Sequence, residues 1–311
     1  MRCVLNAYHI PVLVKEVPEK LITDTSGVYL DGTVGGGGHA AAILPHLASG
    51  SLYIAVDRDG DAIKRAKKTL ASFSNIIFYQ SVFSDVDTVL HEANIHGLNG
   101  VLLDLGVSSY QIDTAKRGFS FRDDAPLDMR MNSKQALTAA DILNNYPVEK
   151  LNTIFRTYGE ERYAAAIAAA IGKKRQVENI RTAFQLTKII RACVPGKLIN
   201  KSFARIFQAL RIEVNEEMKI LQDGLEHLFS YLNSGGRLVV ISYHSLEDRL
   251  VKQFVQKKEN PCVCPPQLPY CACGKQQEIK RIKPYPVKPA HEEIEENPRA
   301  RSARMRVGEK L

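Results

Sequence analysis

The sequence predicts an α/β fold, a doubly wound Rossmann-like parallel sheet with an inserted helical domain, and three observations lead there. Over the first hundred or so residues the order reads strand, helix, strand, helix, strand, strand, with three of the apolar runs closed by an acidic residue. A glycine-rich turn follows the first of those runs directly. A helical tract from about residue 138 to 232 then separates the fourth apolar run from the next, far longer than an ordinary connection.

Val28-Tyr29-Leu30 reads as the first buried strand, closed by Asp31. Gly32-Thr-Val-Gly35-Gly36-Gly37-Gly38-His39 reads as a turn into a helix that starts near Gly38. Glycine lets the backbone approach a ligand closely and take positive φ. The following helix start presents unpaired N–H groups, so a nucleotide-like cofactor is expected. Gly35-x-Gly37-x-x-Ala40 fits the dinucleotide fingerprint, with Asp57 at about the ribose-binding distance. That match alone is weak. S-adenosylmethionine is the competing cofactor, because the Asp31 carboxylate repels a pyrophosphate and attracts a sulfonium or ammonium. The bland alternative makes Asp31 an Asx cap of the turn.

Ser51 to Asp57 forms the second strand, and Asp57 there can accept both hydroxyls of a ribose. Asp59 is better placed to cap the next helix. A third strand, Ile76–Tyr79, leads to Phe83, which lies either against an adenine or in ordinary core. Gly100 to Asp104 is the fourth strand and enters the loop Leu105–Ser109. Ligands of open parallel sheets sit beyond the strand carboxyl ends, where Asp31, Asp57 and Asp104 should all fall. Together they describe a pocket.

The chain has 311 residues, 45% of them hydrophobic, and a net charge of +8. Its longest apolar stretch, Tyr163 to Ile171, is far too short to span a bilayer. Met1–Asn6 carries no export pattern, so a cytoplasmic location is expected, with cysteines as thiols or metal ligands. Between Arg162 and Arg211 stand eleven Lys or Arg against one acid, Glu178. Such a single-sign field suits a polyanion partner; a merely solvated helical surface is the alternative. The insertion is placed at 113–205 as a basic, substrate-binding helical domain, leaving 1–112 and 206–311 for the sheet domain.

Lys219 to Tyr231 is read as the helix leading into the strand Gly235–Ser242. The loop Tyr243–Arg249 should line the substrate side, with His244 either holding a base or phosphate or pairing structurally with Asp248. Cys262-x-Cys264 and Cys271-x-Cys273 supply four thiolates that suit tetrahedral Zn²⁺, although C-x-C is tighter than the usual spacing; free thiols are the alternative. Arg299–Arg306 reads as an extended edge segment that grips phosphates or guards against aggregation.

Eight phrases occur in one order: Tyr8-His-Ile-Pro-Val-Leu13, Leu102-Leu-Asp-Leu-Gly-Val-Ser-Ser109, Arg117-Gly-Phe-Ser-Phe121, Pro126-Leu-Asp-Met-Arg-Met131, Tyr158-Gly-Glu-Glu-Arg162, Phe207-Gln-Ala-Leu-Arg-Ile212, Ser242-Tyr-His-Ser-Leu-Glu-Asp-Arg249 and Asn297-Pro-Arg-Ala-Arg-Ser302. From about His9 to Arg306 the chain closely resembles the bacterial small-subunit ribosomal RNA (cytosine-N4)-methyltransferases, the RsmH or MraW family. The resemblance implies a class I S-adenosylmethionine-dependent methyltransferase sheet with a helical insertion. It also implies N4-methylation of a cytidine in the decoding region of 16S ribosomal RNA, within the small subunit. Cofactor contacts would fall on Gly37, Gly38, His39, Asp57, Phe83, Asp104 and Gln111, beside Asp31. Gly36 and Tyr110 depart from the family pattern, without removing a binding group.

Asp104, Ser108 and His244 are the catalytic candidates, Asp104 and the loop after it being best placed to accept an N4 hydrogen. The chain lacks the Asp/Asn/Ser-Pro-Pro-aromatic signature of amino-methylating DNA enzymes. Two other readings stand beside this one. An NAD-dependent oxidoreductase fits the glycine spacing but not the basic insertion. A non-catalytic RNA-binding assembly factor fits the charge but not the three strand-end carboxylates.

Overall fold

The computed structural model describes residues 11–265, 270 and 272–311. Along the chain come α1 (Glu16–Leu21), β1 (Val28–Asp31), α2 (Gly38–Ile43), β2 (Leu52–Asp57), α3 (Gly60–Thr69), β3 (Ile76–Gln80), α4 (Val86–Glu92) and β4 (Leu98–Asp104). Six helices follow: α5 (Ser109–Asp113), α6 (Ala139–Asn145), α7 (Val148–Thr157), α8 (Ala164–Arg175), α9 (Ala183–Cys193) and α10 (Ile199–Asn215). Then come α11 (Glu217–Tyr231), β5 (Leu232–Ser242), α12 (Ser245–Glu259), β6 (Ile279–Arg281), α13 (His291–Glu296) and β7 (Arg304–Lys310). The chain divides into two compact units, one running to Gly106 and resuming at Lys219–Leu311, the other Val107–Met218.

In the first unit the strands lie in the order β3-β2-β1-β4-β5-β7-β6. The pairs from β3 across to β5 are parallel, while β7 runs antiparallel to both β5 and β6. Strand residues alternate between faces with a period of two, which sorts the core into two layers. Tyr29, Tyr53, Ala55, Leu102, Val239 and Ile241 share one cluster with α1, α2 and α3. Leu30, Ile54, Val56, Val101, Leu103 and Val240 share the other with α4, α11 and α12. Asp31, Asp57 and Asp104 each continue the first set, two residues on from Tyr29, Ala55 and Leu102. All three carboxylates therefore lie at one edge and on one face.

Several elements differ from the expected string. Between β3 and β4 the chain forms α4, whose buried Val86, Val89 and Leu90 have i, i+3, i+4 spacing too short to stand out. The loop expected at Tyr243–Arg249 opens α12, begun by a His244/Glu247 capping box. β5 starts at Leu232, and its pairing with β4 shifts register between Leu98 and Gly100. The arginine-rich tail is no edge: β7 lies inside the sheet, and Arg306 is buried there against Asp248, with Nε–Oδ1 at 2.8 Å and Nη2–Oδ2 at 3.1 Å.

The second unit is helical throughout its regular structure, with a core drawn from Leu151, Phe155, Ile167, Ile171, Leu186, Ile190, Phe203 and Phe207 among others. Capping boxes at Thr138/Asp141 and Thr182/Gln185 start α6 and α9. The unit is wider than the expected 113–205, because α10 continues unbroken to Asn215. Asn215 is fully buried; its amide donates to Met129 O at 2.8 Å and its oxygen accepts from Met131 N–H at 2.8 Å. Gly118 has φ +72°, and a Cβ there would collide with the Pro126 carbonyl. The phrases Arg117–Phe121 and Pro126–Met131 thus pack backbone against backbone, the second held to Asn215 at the C-terminal end of α10.

Candidate active site at the strand ends

β1 stops two residues short of its neighbours: Asp31 pairs with Ala55 of β2 and with Leu102 of β4. The turn after it fills the gap. Gly32 N–H donates to Leu102 O at 3.0 Å and Val34 N–H to Val56 O at 3.0 Å. The Thr33 hydroxyl accepts the Asp104 N–H at 2.7 Å. Asp57 then ties the glycine bend down, its Oδ2 accepting Gly35 N–H and its Oδ1 accepting Asp59 N–H, both at 2.8 Å. Gly37 caps α2 with φ +86°, a left-handed conformation that any side chain would strain.

Asp31 is buried, with Oδ1 accepting Thr33 N–H at 3.0 Å and Oδ2 accepting the Tyr53 hydroxyl at 3.2 Å. Burial raises its pKa to about 7, against the hydrogen bonds and the His39 imidazole that favour ionisation. Burial likewise raises Asp57 to about 6. Asp104 accepts the Tyr243 hydroxyl at 2.7 Å through Oδ1, and its Oδ2 lies 3.3 Å from His39 Nε2. That approach is within ion-pair range, and among the described residues neither ring nitrogen of the buried His39 has an aligned hydrogen bond. Burial pulls the imidazole pKa down, yet the Asp104 and Asp31 carboxylates outweigh it and leave it raised.

Asp31, Gly37, Gly38, His39, Asp57 and Asp104 thus meet around one bend. Phe83 sits in a 3₁₀ turn after β3, packed so tightly on Gly32 and Gly224 that a Cβ on either would clash with its ring or Cβ. Ser108 and Gln111 belong to the second unit and cap each other: Ser108 Oγ accepts Gln111 N–H at 3.2 Å and Gln111 Oε1 accepts Ser108 N–H at 3.0 Å. His244 heads α12, where its Nδ1 accepts Glu247 N–H at 3.4 Å. Its Nε2 is 3.1 Å from Glu247 Oε1, again without hydrogen-bond alignment. Asp248 turns to Arg306 and Arg304, so the partner of His244 is Glu247.

Sequence reasoning missed the three hydroxyls that set the aspartates: Tyr53 on Asp31, Thr33 beside Asp104, and Tyr243 on Asp104. A signal existed for Tyr53. It lies on the same strand face as Asp31's pairing partner Ala55 and one pleat back, within reach of a phenol. Nothing in the sequence brings Tyr243 to Asp104, 139 residues away.

Cys262, Cys264 and Cys273 gather their sulfurs within 4.8 Å of one another. Cys271 lies outside the described residues. In the second unit the expected basic stretch presents Arg162, Lys173, Arg181, Lys188, Lys197 and Lys201 to solvent. Arg175 and Arg211 turn inward, to Leu143 O and Tyr146 O and to Glu217 respectively.

The buried Asp31 carboxyl has a distinctive pH signature. Between about pH 4 and 7 the folded chain holds a proton here that the unfolded chain releases, so this group's contribution falls as pH rises through 7. Asp31→Asn keeps an acceptor for Thr33 N–H and removes the titration. Relative to the wild type, the variant should gain about 1 kcal/mol per pH unit across this window and then plateau. Urea unfolding of both chains from pH 5 to 8 checks this, and a pH-independent difference would count against a buried, proton-holding Asp31.

This strand order, with β7 alone reversed against the central strands, a glycine bend after β1 and carboxylates ending β1, β2 and β4, is the Rossmann-like sheet of the class I methyltransferase fold. A family model described as the MraW methylase family matches residues 6–311, and the chain belongs to that family. It is 45% identical over 305 residues to the protein named "Ribosomal RNA small subunit methyltransferase H" of Clostridium botulinum (strain 657 / Type Ba4), covering 97% of this chain and 99% of that protein. It is 46% identical over 306 residues to the protein of that name from Carboxydothermus hydrogenoformans, covering 97% and 98%.

Proposed function

We propose that this chain methylates the exocyclic N4 of a cytidine in the decoding region of 16S ribosomal RNA, using S-adenosylmethionine, with the small ribosomal subunit or its precursor as partner and the cytoplasm as its place of work. The observation that carries this reading is the placement of Asp31, Asp57 and Asp104 on one face and one edge, around a tethered glycine bend. The cofactor fits these residues. Each Asp57 oxygen accepts one backbone N–H and keeps lone-pair capacity for a ribose hydroxyl. The buried Asp31 carboxyl beside the bend suits a cationic group, and the buried His39 imidazole lies 3.3 Å from Asp104 at the same bend.

When bound, S-adenosylmethionine supplies an electrophilic methyl group on a sulfonium. The chain's task lies with the nucleophile. The N4 lone pair is conjugated into the cytosine ring and must be freed as the new C–N bond forms. Asp104, held by the Tyr243 hydroxyl and the Thr33 side chain, takes the N4 proton in this reading, and the raised His39 imidazole steadies the carboxylate. Ser108 shapes the loop by capping α5, and His244 shapes the start of α12; both are positioning residues.

A cytidine within structured RNA must leave its stack before N4 reaches a pocket. The exposed Lys and Arg of the second unit would hold the surrounding phosphates.

The test incubates the purified chain with small-subunit particles from cells lacking the gene and a methyl-labelled donor, then digests the RNA for mass spectrometry. Labelled N4-methylcytidine in a decoding-region fragment is the expected product. Label on a different base would overturn the assignment, and no transfer to any RNA would favour an assembly factor. Calorimetric titration should show S-adenosylmethionine binding and no NAD binding.

A further inference from the structure

The segment between α12 and β6 is closed at its base by the Glu278 N–H donating to Lys258 O at 2.9 Å. Among its described residues, Val263 is 68% and Tyr270 is 82% exposed. Prolines at 261 and 265 stiffen it without joining its parts. Nevertheless Cys273 returns to Cys262 and Cys264, bringing three sulfurs within 4.8 Å as thiols and not as a disulfide. The Ala272 N–H donates to Cys264 Sγ at 3.2 Å.

Three thiolates this close together repel one another, and closing the loop costs chain entropy. A cation resolves both at once. An all-sulfur donor set selects Zn²⁺ over oxygen-seeking ions such as Mg²⁺ or Ca²⁺. Sulfur ligands at about 2.3 Å from a tetrahedral ion stand about 3.8 Å apart, inside the observed spread.

We infer that Cys262, Cys264 and Cys273 bind one structural Zn²⁺ that pins the α12–β6 segment. Each thiol loses its proton to solvent on binding, and the fourth tetrahedral position takes one further donor. The ion lies in the sheet unit and serves the fold of this segment rather than the methyl transfer.

Full-length chain purified under reducing conditions from zinc-containing medium should carry about one zinc per chain by elemental mass spectrometry, and Cys264→Ser below about one tenth. Cys193→Ser, which changes a thiol of the second unit, should keep the full content. Cobalt loading of the wild type should produce a thiolate-to-metal charge-transfer band that Cys264→Ser lacks. If the variant does not fold, a thiol-blocking mercurial added to the wild type should release the zinc to a chromogenic chelator. Metal-free wild type, bound iron in place of zinc, undiminished zinc in Cys264→Ser, or zinc that survives thiol blocking would each overturn the site. Binding of S-adenosylmethionine, measured on the same samples, reports separately on the methyl-transfer reading.

Discussion

Asp104→Asn is expected to slow methyl transfer at saturating S-adenosylmethionine by about 100-fold or more, the usual range for loss of a general base. The substitution is nearly isosteric. Its amide oxygen still accepts the Tyr243 hydroxyl, and the backbone N–H still reaches Thr33, so the end of β4 keeps its shape. What disappears is the proton acceptor, together with the charge that raises His39 against its own burial. The imidazole should therefore fall toward the neutral form in the variant. Single-turnover rates, measured beside cofactor affinity, separate the two roles: the rate should collapse while the dissociation constant moves far less. An undiminished rate would remove Asp104 from the chemistry and leave it a strand-end ligand.

Asp57→Ala should weaken S-adenosylmethionine binding by about 100-fold, roughly 3 kcal/mol. Two losses combine. The carboxylate is the proposed acceptor for the ribose hydroxyls, and it also tethers the bend through Gly35 N–H. The folded chain should remain, because removing a carboxyl whose pKa burial raises to about 6 relieves desolvation while leaving two N–H groups unmet. Asp57→Asn, which retains one acceptor oxygen, should fall between the two. The wild type carries its own control: the ionised acceptor predominates above pH 6, so cofactor affinity should drop as pH falls through that value. Calorimetry across pH 5 to 8 reads both effects. Equal affinity in the Ala variant would take Asp57 out of the site.

The site was legible in the sequence to an uneven degree, for physical reasons. Asp31, Asp57 and Asp104 stand out because each closes an apolar run, and strand ends are local events. The glycine bend is visible because φ +86° at Gly37 needs that residue type. Phe83 stayed ambiguous between ligand contact and core, and its packing on Gly32 and Gly224 shows why: composition does not tell an aromatic's neighbours. Ser108 and Gln111 are joined by mutual capping bonds, a local helix-start device that their spacing alone also describes. The tail arginines misled most. Alternation suggested an exposed edge, whereas insertion of β7 between β5 and β6 buries Arg306 against Asp248. An ion pair spanning 58 residues leaves no trace in a local pattern.

By itself the sequence determined the strands that end in acids, the bend, the presence of an inserted helical tract and the family, since each is written in neighbouring residues or in ordered phrases. Only the tertiary structure decided which hydroxyl holds which carboxylate, that β7 runs reversed inside the sheet, and that Cys273 returns to Cys262 and Cys264. Those outcomes depend on which strands become neighbours and on how far burial shifts a charge. Both are settled by packing across the chain rather than along it.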